Sequence, residues 1–261
     1  MTVLSLFDGI SAGQLALRRA GIPVTKYYAS EIDRHAISVT QKNFPDTIQL
    51  GDVTRWREWD IESPDLIIGG SPCQGFSFAG KQLNFEDPQS KLFFDMVDII
   101  NHYQPRYFLL ENVKMKKEYQ DVITEHMGVQ PMEINSALVS AQNRKRLYWF
   151  NWDAEMPGDK GIVLRDVLED GETLYQRGRG NNPGGLRENK SPAMGSSSWQ
   201  ENVFAVVKDR GEYRKLTPVE CERLQTFPDG YTEGVSNTQR YKALGNSWTV
   251  DVVAHLFRSM K

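Results

Sequence analysis

Cysteines are few in this sequence, and they lie far apart. Cys73 and Cys221 are the two in 261 residues, and neither belongs to a CxxC or Cys/His ligand spacing. Such a pair predicts neither a zinc site nor a disulfide framework, so we expect no metal. A reducing compartment fits best.

Two further absences concern membranes and secretion. No apolar run approaches the ~20 residues that a membrane-spanning helix requires, so we expect no membrane partner. The opening stretch MTVLSLFDG lacks a basic leader followed by an apolar segment, so it does not resemble a secretory signal. These features together predict a cytoplasmic protein.

An overall excess of positive charge is also absent. The net charge of −3 argues by itself against an obligate nucleic-acid binder, because neutralising phosphates requires Lys and Arg. Positive charge does collect locally, either as solvated faces or as a basic cleft on an acidic body. The clusters are Lys114, Lys116, Lys117, Arg144, Lys145, Arg146, Arg177, Arg179, Arg187 and Lys190.

The chain is long enough for one α/β domain with a small insertion. Its first half alternates short β-rich runs with helical stretches, which indicates a mostly parallel sheet covered by helices. The predicted strands span residues 3–7, 26–30, 66–69 and 107–111. The predicted helices span residues 13–20, 34–44 and 91–102.

The third predicted helix carries two adjacent aromatic residues, Phe93 and Phe94. Apolar residues recur along it at helical intervals, which is typical of a helix that covers a sheet. Core packing explains the two phenylalanines most simply. A homo-oligomer formed through this helix is the alternative hypothesis.

The composition changes after Trp152, where the stretch RGRGNNPGG shows little periodicity. We predict a compact lobe at residues 153–214 with a hairpin-like unit near Val203, a disordered insertion being the alternative. Regular structure returns at Thr217, because TPVE matches a capping box with proline in the first turn. Residues 215–261 would thus complete the domain begun by residues 1–152.

The stretch VLSLFDGISAG predicts a strand, a small-residue turn and a helix, where backbone N–H groups can approach a ligand. Its glycines do not form the GxGxxG pattern of a pyrophosphate site, which disfavours nicotinamide. Glu31 follows the second predicted strand, and Asp52 lies where we expect a further strand to end. They are either ordinary loop acids or ligands for the ribose and the adenine amino group of an adenosine.

A second group of polar residues follows the later strands. In LIIGGSPCQGFS, Cys73 lies beyond a strand in a glycine-bordered loop, which favours a nucleophile over a small buried hydrophobe. FLLENV brings Glu111 to the same edge of the sheet. AQNRKRLYWF puts Arg144 and Arg146 on one face of an extended segment.

The order of the motifs FDGISAG, PCQ, ENV, QxRxR and LGNS resembles the DNA cytosine-5 methyltransferase family over residues 3–257. SLFDGIS, LFFDM and the tail are similar to the catalytic domains of vertebrate de novo DNA methyltransferases, whereas GNS follows the bacterial and phage form. The resemblance implies a Rossmann-like α/β methyltransferase fold, with a mostly parallel sheet, helices on both faces and a small target-recognition lobe. It also implies the cytoplasm of a bacterial or phage-infected cell.

By this resemblance, Cys73 adds to carbon 6 of a cytosine that is flipped out of duplex DNA. Glu111 interacts with ring nitrogen 3 and the exocyclic amine. Arg146 holds the carbonyl oxygen, and Arg144 supports the loop or a phosphate. Double-stranded DNA is the implied partner, with contacts expected from Ser77, Arg177, Arg179, Arg187 and Lys190.

The implied cofactor is S-adenosyl-L-methionine, with S-adenosyl-L-homocysteine as its product and no metal. Many family members carry an acid two positions before the first motif's phenylalanine, where this chain has Ser5. Asp8 follows that phenylalanine instead, so the contact to the methionine end is open. The residues expected to line the pocket are Phe7, Gly9, Glu31, Ile32, Asp52, Val53, Pro72, Leu92, Asn246 and Ser247.

Three other functions fit parts of the sequence. An RNA cytosine-5 methyltransferase would share these motifs, but that branch usually carries a Cys-Phe-Thr tripeptide, which is absent here. A catalytically silent DNA-binding partner would tend to lose the motif residues, all of which are present. An S-adenosylmethionine enzyme acting on a small molecule would need no basic cleft.

Overall fold

A computed structural model describes residues 1–71, 88–170, 173–178, 183–196, 203–207 and 212–260 of the chain. For residues 88–90 and 207 the backbone alone is described.

The main sheet has seven strands: β1 (Thr2–Leu6), β2 (Lys26–Ser30), β3 (Ile48–Gln49), β4 (Leu66–Gly69), β5 (Tyr107–Val113), β6 (Met132–Asn135) and β7 (Lys145–Phe150). Their order across the sheet is β3-β2-β1-β4-β5-β7-β6. The first five run parallel, and β7 is antiparallel to both β5 and β6. The order reverses direction at β1, and open α/β sheets bind ligands beyond the carboxyl ends of the strands at such a point.

The described helices are α1 (Ala12–Ala20), α2 (Arg34–Asn43), α3 (Pro88–Tyr103), α4 (Lys117–Met127), α5 (Pro218–Leu224), α6 (Asn237–Asn246) and α7 (Val250–Phe257). Within the described residues, 3-10 helices span Val53–Glu58, Ser136–Leu138 and Leu164–Asp166. Over the described ranges, no helix has the length and apolar character needed to cross a bilayer.

Helices cover both faces of the main sheet. Successive side chains of each strand point to opposite sides, so a single strand can contribute to both cores. In β7, Tyr148 and Phe150 pack in one core with α1, α2 and α7. Leu147 and Trp149 pack in the other core with α3 and α4. The predicted fold class, a mostly parallel sheet with helices on both faces, is therefore confirmed.

A second, antiparallel sheet is formed by β8 (Leu174–Gln176), β9 (Gly185–Arg187), β10 (Val203–Val207) and β11 (Glu212–Lys215), in the order β11-β10-β8-β9. We call it the small sheet. Leu174, Val203 and Ala205 point from it into the core shared with α1. On its other face Tyr175 packs against Tyr213, with ring centroids 5.1 Å apart. The division of the chain at residues 153 and 215 stays a prediction.

Most predicted elements match the observed ones within a few residues. Strands β2 and β4 have the predicted bounds, whereas α3 begins earlier and β5 ends later than expected. The capping box is present, since Thr217 Oγ1 accepts the N–H of Glu220 (3.2 Å) and a Glu220 carboxylate oxygen accepts the N–H of Thr217 (2.8 Å). Its helix runs from Pro218 to Leu224.

The two aromatic residues of α3 differ in their surroundings. Phe93 is fully buried in the core, which is the simpler of the two interpretations of this pair. Phe94 is half-buried and meets the His126 ring edge-on, with centroids 5.2 Å apart. A homo-oligomer through this helix stays a prediction, and Phe94 is the one of the two that such a contact would reach.

Candidate active site

A cavity of about 370 Å³ opens beyond the carboxyl ends of β1, β2, β4 and β5. One wall is formed by the residues that follow those strands, among them Phe7, Glu31 and Glu111. The facing wall comes from α6 and the loop after it, including Asn246 and Trp248. Both groups of predicted site residues therefore meet in one cavity.

The turn between β1 and α1 has an unusual backbone. Phe7 and Ser11 both have a φ of 56°, in the left-handed region that L side chains rarely adopt, and Gly9 lies there too, with a φ of 61°. Such conformations cluster at ligand sites and are held by their surroundings. The first turn of α1 also lies tightly on the sheet, because a Cβ on Gly13 would be 2.4 Å from Ile68 Cδ1.

Asp8 is held beneath this turn. Its carboxylate accepts hydrogen bonds from Ser11 Oγ and, at 2.9 Å, from Tyr27 OH. Burial raises the pKa of Asp8 to about 6, and the hydrogen bonds from Ser11, Ser5 and Tyr27 limit that rise. Asp8 lines the cavity, so its charge state affects the electrostatics there.

Glu31 connects the first turn to the end of β2. Its Oε2 accepts the N–H of Gly9 at 2.8 Å, and its Oε1 accepts those of Ile32 at 2.7 Å and Asp33 at 2.8 Å. A carboxylate has about four lone-pair sites, so one is left for a ligand hydroxyl. Asp33 pairs with Lys242 of α6 at 2.7 Å, and both line the cavity.

The structure brings half of the predicted cofactor residues together. Phe7, Gly9, Glu31, Asn246 and Ser247 line the cavity. Four other predicted residues are described but are not among the described residues that line the cavity. Pro72 lies outside the described residues. Of these four, Ile32 is 75% exposed and Val53 is buried. Asp52 caps a 3-10 helix by accepting the N–H of Thr54, and Leu92 packs against the second core.

This cavity suits S-adenosylmethionine in charge and size. The carboxylates of Asp8 and Glu31 suit a cationic ligand that carries ribose hydroxyls. Phe7 offers an aromatic face near them, and the volume lies within the range of small-molecule sites. In the described part of the chain, no group of three or more His, Cys, Asp or Glu residues is arranged to hold a metal ion.

Glu111 has two partners at the other end of the cavity. Arg146 Nε lies 3.0 Å from its Oε1, and the indole N–H of Trp248 donates to its Oε2 at 3.1 Å. All three side chains line the cavity. Because Gly69 pairs with Leu110 in the sheet, Glu111 lies beside the start of the loop that leads to Cys73.

The loop that leads to Cys73 is anchored by the residue next to Glu111. Asn112 is buried, and its side-chain amide donates to the backbone oxygen and the hydroxyl of Ser71 at 3.4 and 3.3 Å. Cys73 itself lies outside the described residues. The geometry therefore fixes the chain two residues before the predicted nucleophile.

Arg144 is buried and ties the segment at Met194 to the end of α6. Its guanidinium donates to the backbone oxygens of Met194 (2.8 Å), Gly245 (3.1 Å) and Ser247 (3.0 Å). Burial and, second, the charge of Arg146 lower the pKa of Arg144 to about 10. Its expected role, support of the loop or of a phosphate, stays a prediction.

Of the predicted DNA contacts, the structure describes Arg177, Arg187 and Lys190. Ser77 and Arg179 lie outside the described residues, whereas the Arg177 guanidinium lies 4.8 Å from the ring centroid of Phe204 on the small sheet. Arg187 donates to Gln176 Oε1 at 3.0 and 3.2 Å.

Lys190 differs from its predicted role. Its ammonium donates to the backbone oxygens of Ala137 (2.7 Å), Ser140 (3.0 Å) and Ile162 (2.6 Å). An ammonium has three protons, so this arrangement leaves none for a phosphate. The sequence could not reveal this, because the three acceptors are backbone groups.

Two functional candidates were missed in the sequence. Trp248 directly follows the GNS motif, which is the signal that could have identified it. Gln142, the first residue of QxRxR, is buried and accepts the N–H of Met194 at 3.0 Å. It stabilises the same loop as Arg144.

Comparisons with known proteins agree with this geometry. The sequence profile described as C-5 cytosine-specific DNA methylase matches residues 1–157 and 164–261. The chain belongs to this family. It is 32% identical over 302 residues to the Type II methyltransferase M1.ScrFI of Lactococcus lactis subsp. cremoris, covering 99% of this chain and 77% of that protein. It is 30% identical over 299 residues to the Type II methyltransferase M.NlaX of Neisseria lactamica, covering 99% and 96%.

A solved structure shows the same fold. A DNMT2 variant from Spodoptera frugiperda superposes with a TM-score of 0.73 at 20% identity, covering 98% of each chain. Membership in the C-5 cytosine-specific DNA methylase family confirms the resemblance and the expected enzyme class, DNA cytosine-5 methyltransferase. The family also implies use of S-adenosylmethionine.

Proposed function

We propose that this protein methylates carbon 5 of a cytosine that is flipped out of duplex DNA, through a transient bond between Cys73 Sγ and carbon 6. The observation that carries the proposal is the Glu111 carboxylate, paired with Arg146 at 3.0 Å in the cavity that Glu31 also lines. A base-binding end and a cofactor-binding end are thus adjacent. The family provides the reaction class.

Carbon 5 of cytosine is too weak a nucleophile to take up a methyl group unaided. The thiolate of Cys73 adds to carbon 6, which breaks the π bond between carbons 5 and 6 and gives an enamine. Glu111 interacts with ring nitrogen 3 and accepts from the exocyclic amine, which offsets the charge that develops on the ring. Arg146 turns towards the carbonyl oxygen at position 2 and donates to it.

When bound, S-adenosylmethionine supplies an electrophilic methyl group for carbon 5. Carbon 5 then carries both this methyl group and its original hydrogen. A base removes that proton, the electron pair re-forms the bond between carbons 5 and 6, and the Cys73 thiolate leaves. Asp8 and Glu31 favour the cationic cofactor electrostatically.

A base stacked in a duplex cannot enter this cavity, so the target must be flipped out and the surrounding duplex gripped. We propose residues 153–214 as the target-recognition lobe. The outer face of its small sheet supports this role, because it combines aromatic rings with the charge of Arg177, stacked on Phe204. Lys215 pairs with Phe204 across the sheet and adds a second positive charge. The short lobe suggests a short recognition sequence.

Bisulfite sequencing of unmethylated plasmid DNA, after incubation with the protein and S-adenosylmethionine, tests this proposal. The wild type should protect cytosines in one short, consistent context. Cys73→Ala should protect none while it still binds DNA. Cys221→Ala is the matched control, because Cys221 is buried in the core away from the cavity and its loss should leave protection intact. Complete conversion with folded wild-type protein would refute the proposal, and methylation of a transfer RNA in a parallel reaction would redirect it to RNA.

A further inference from the structure

Trp248 lies in the wall between the two ends of the cavity. Its indole N–H donates to Glu111 Oε2 at 3.1 Å. A Cβ on Gly13, in the first turn of α1, would lie 3.4 Å from Trp248 Cζ3, and one on Gly70 would lie 3.0 Å from Nε1. The indole therefore reaches the cofactor-side helix, the end of β4 and Glu111 together.

Each oxygen of the Glu111 carboxylate has its own donor. Arg146 holds Oε1 and Trp248 holds Oε2. The terminal torsion of a glutamate is broad, so a single donor does not fix the plane of the carboxylate. Under the proposed function Arg146 turns away towards cytosine, which leaves Trp248 as the described side chain that still donates to Glu111.

The backbone around Trp248 is itself held firmly. The backbone oxygen of Ser247 accepts from Arg144 at 3.0 Å and from Gln225 at 3.1 Å. On the other side, Thr249 Oγ1 donates to Gln225 Oε1 at 2.8 Å. With both neighbours anchored, the indole N–H is preorganised and needs no reorientation when a base arrives.

We infer that Trp248 is a positioning residue that orients the Glu111 carboxylate towards the target base, an inference that rests on the proposed function. An indole suits this role because its N–H donates and has no lone pair to accept a proton. It therefore holds the carboxylate without taking a proton from it. A side chain at position 70 would crowd both groups, since a Cβ there would lie 3.0 Å from Trp248 Nε1 and 3.1 Å from Glu111 Oε2.

Replacing the indole with a ring that lacks the donor is the direct test. Trp248→Phe should lower kcat about tenfold, the usual effect of losing a hydrogen bond to a charged group, while the KM values for DNA and S-adenosylmethionine change less than about twofold. In a Glu111→Gln background the same replacement should have no further effect on kcat, because coupled residues are not additive. Trp152→Phe is the matched control, since its indole N–H donates to the backbone oxygen of Leu256 at 2.9 Å in the core.

The hydrogen bond can also be observed without turnover. In protein labelled with ¹⁵N at the indole, the Trp248 resonance, assigned by its loss in Trp248→Phe, should shift in Glu111→Gln, whereas the Trp152 resonance should stay in place. If Trp248→Phe fails to fold, benzothienylalanine at position 248 keeps the shape of the indole and lacks its N–H.

The outcomes separate the inference from the proposed function. Wild-type protein that does not methylate cytosine refutes the function, whatever the variants do. Active wild type with an unchanged kcat in the variant refutes the positioning role and leaves the function intact. A rise in the KM for S-adenosylmethionine alone would make Trp248 a wall of the cofactor site and would equally overturn the inference.

Discussion

Gly9 and Glu31 are joined by a hydrogen bond of 2.8 Å between the backbone N–H of the first and Oε2 of the second. The bond ties the turn after β1 to the end of β2. Because Glu31 also accepts two N–H groups of its own turn, its carboxylate shapes the cavity as well as lining it. Changes at Glu31 should therefore affect the cofactor site more than a surface glutamate would.

We expect Glu31→Ala to raise the Kd for S-adenosylmethionine at least about tenfold, because a charged hydrogen-bond acceptor and the anchor of the turn are both lost. Isothermal titration calorimetry measures this directly. Glu62→Ala serves as the control, since Glu62 pairs with Lys26 on the surface at the amino end of β2. Equal affinities in the wild type and Glu31→Ala would rule out a ribose contact.

Arg144→Ala should lower the free energy of unfolding by about 3 kcal/mol, because three backbone oxygens inside the protein lose the guanidinium as a donor and the oxygen of Ser247 keeps Gln225. Urea denaturation provides the measurement. In the control Arg165→Ala, a side chain that is 73% exposed is removed, and the change should stay within about 0.5 kcal/mol. A comparably small change for Arg144 would mean that these segments do not depend on it.

Asp8 should make the folded protein less stable as pH rises. Its pKa is raised from 3.8 to about 6 in the folded state, so between these values the folded protein binds more protons at this group than the unfolded chain does. Relative to Asp8→Asn, the wild type should lose stability from pH 4 to about pH 6 and then level off. Urea unfolding of both proteins across this range measures the difference. A constant difference would disprove the raised pKa.

Arg177→Ala should weaken binding of duplex DNA and reduce the slope of log Kobs against log salt by about 1, the change expected for one lost phosphate contact. Fluorescence anisotropy at several salt concentrations measures it. Lys26→Ala is a charge-matched control, since Lys26 lies at the amino end of β2, away from the cavity. If both variants keep the wild-type slope, Arg177 does not touch the DNA backbone.

Phe93→Ala should cost about 3–5 kcal/mol of stability, because the removed ring leaves a cavity in the core beneath α3. Phe94→Ala should cost less, since that ring is half-buried.

Light scattering of the same proteins tests the predicted oligomer. A dimeric wild type that becomes monomeric only in Phe94→Ala would support contact through this helix.

Four strands of the main sheet could be predicted from local patterns. Residues 26–30 and 66–69 are short β-rich runs bounded by turn signals, and the strands have those bounds. The capping box at Thr217 specified the start of α5 in the same way. Such signals depend on neighbouring residues, so tertiary packing had little to change.

Strand ends predicted part of the site. Glu31 and Glu111 follow parallel strands, whose carboxyl ends meet at one edge of a sheet, and both line the cavity. Asp52 also follows a strand, yet its carboxylate caps a 3-10 helix by accepting from Thr54. A strand end brings a residue to an edge, but the local turn decides where its side chain points.

By itself, then, the sequence determined the parallel sheet, the order of its motifs and the family, because periodicity, caps and motif spacing are local properties of the chain. Only the tertiary structure decided which Lys and Arg side chains donate to backbone oxygens inside the protein. Lys190 and Arg144 differ little from Arg177 in the sequence, but the first two donate to backbone oxygens from distant segments, whereas the third lies over Phe204. Trp248 and Glu111 are 137 residues apart, and only the folded chain brings the indole N–H to the carboxylate.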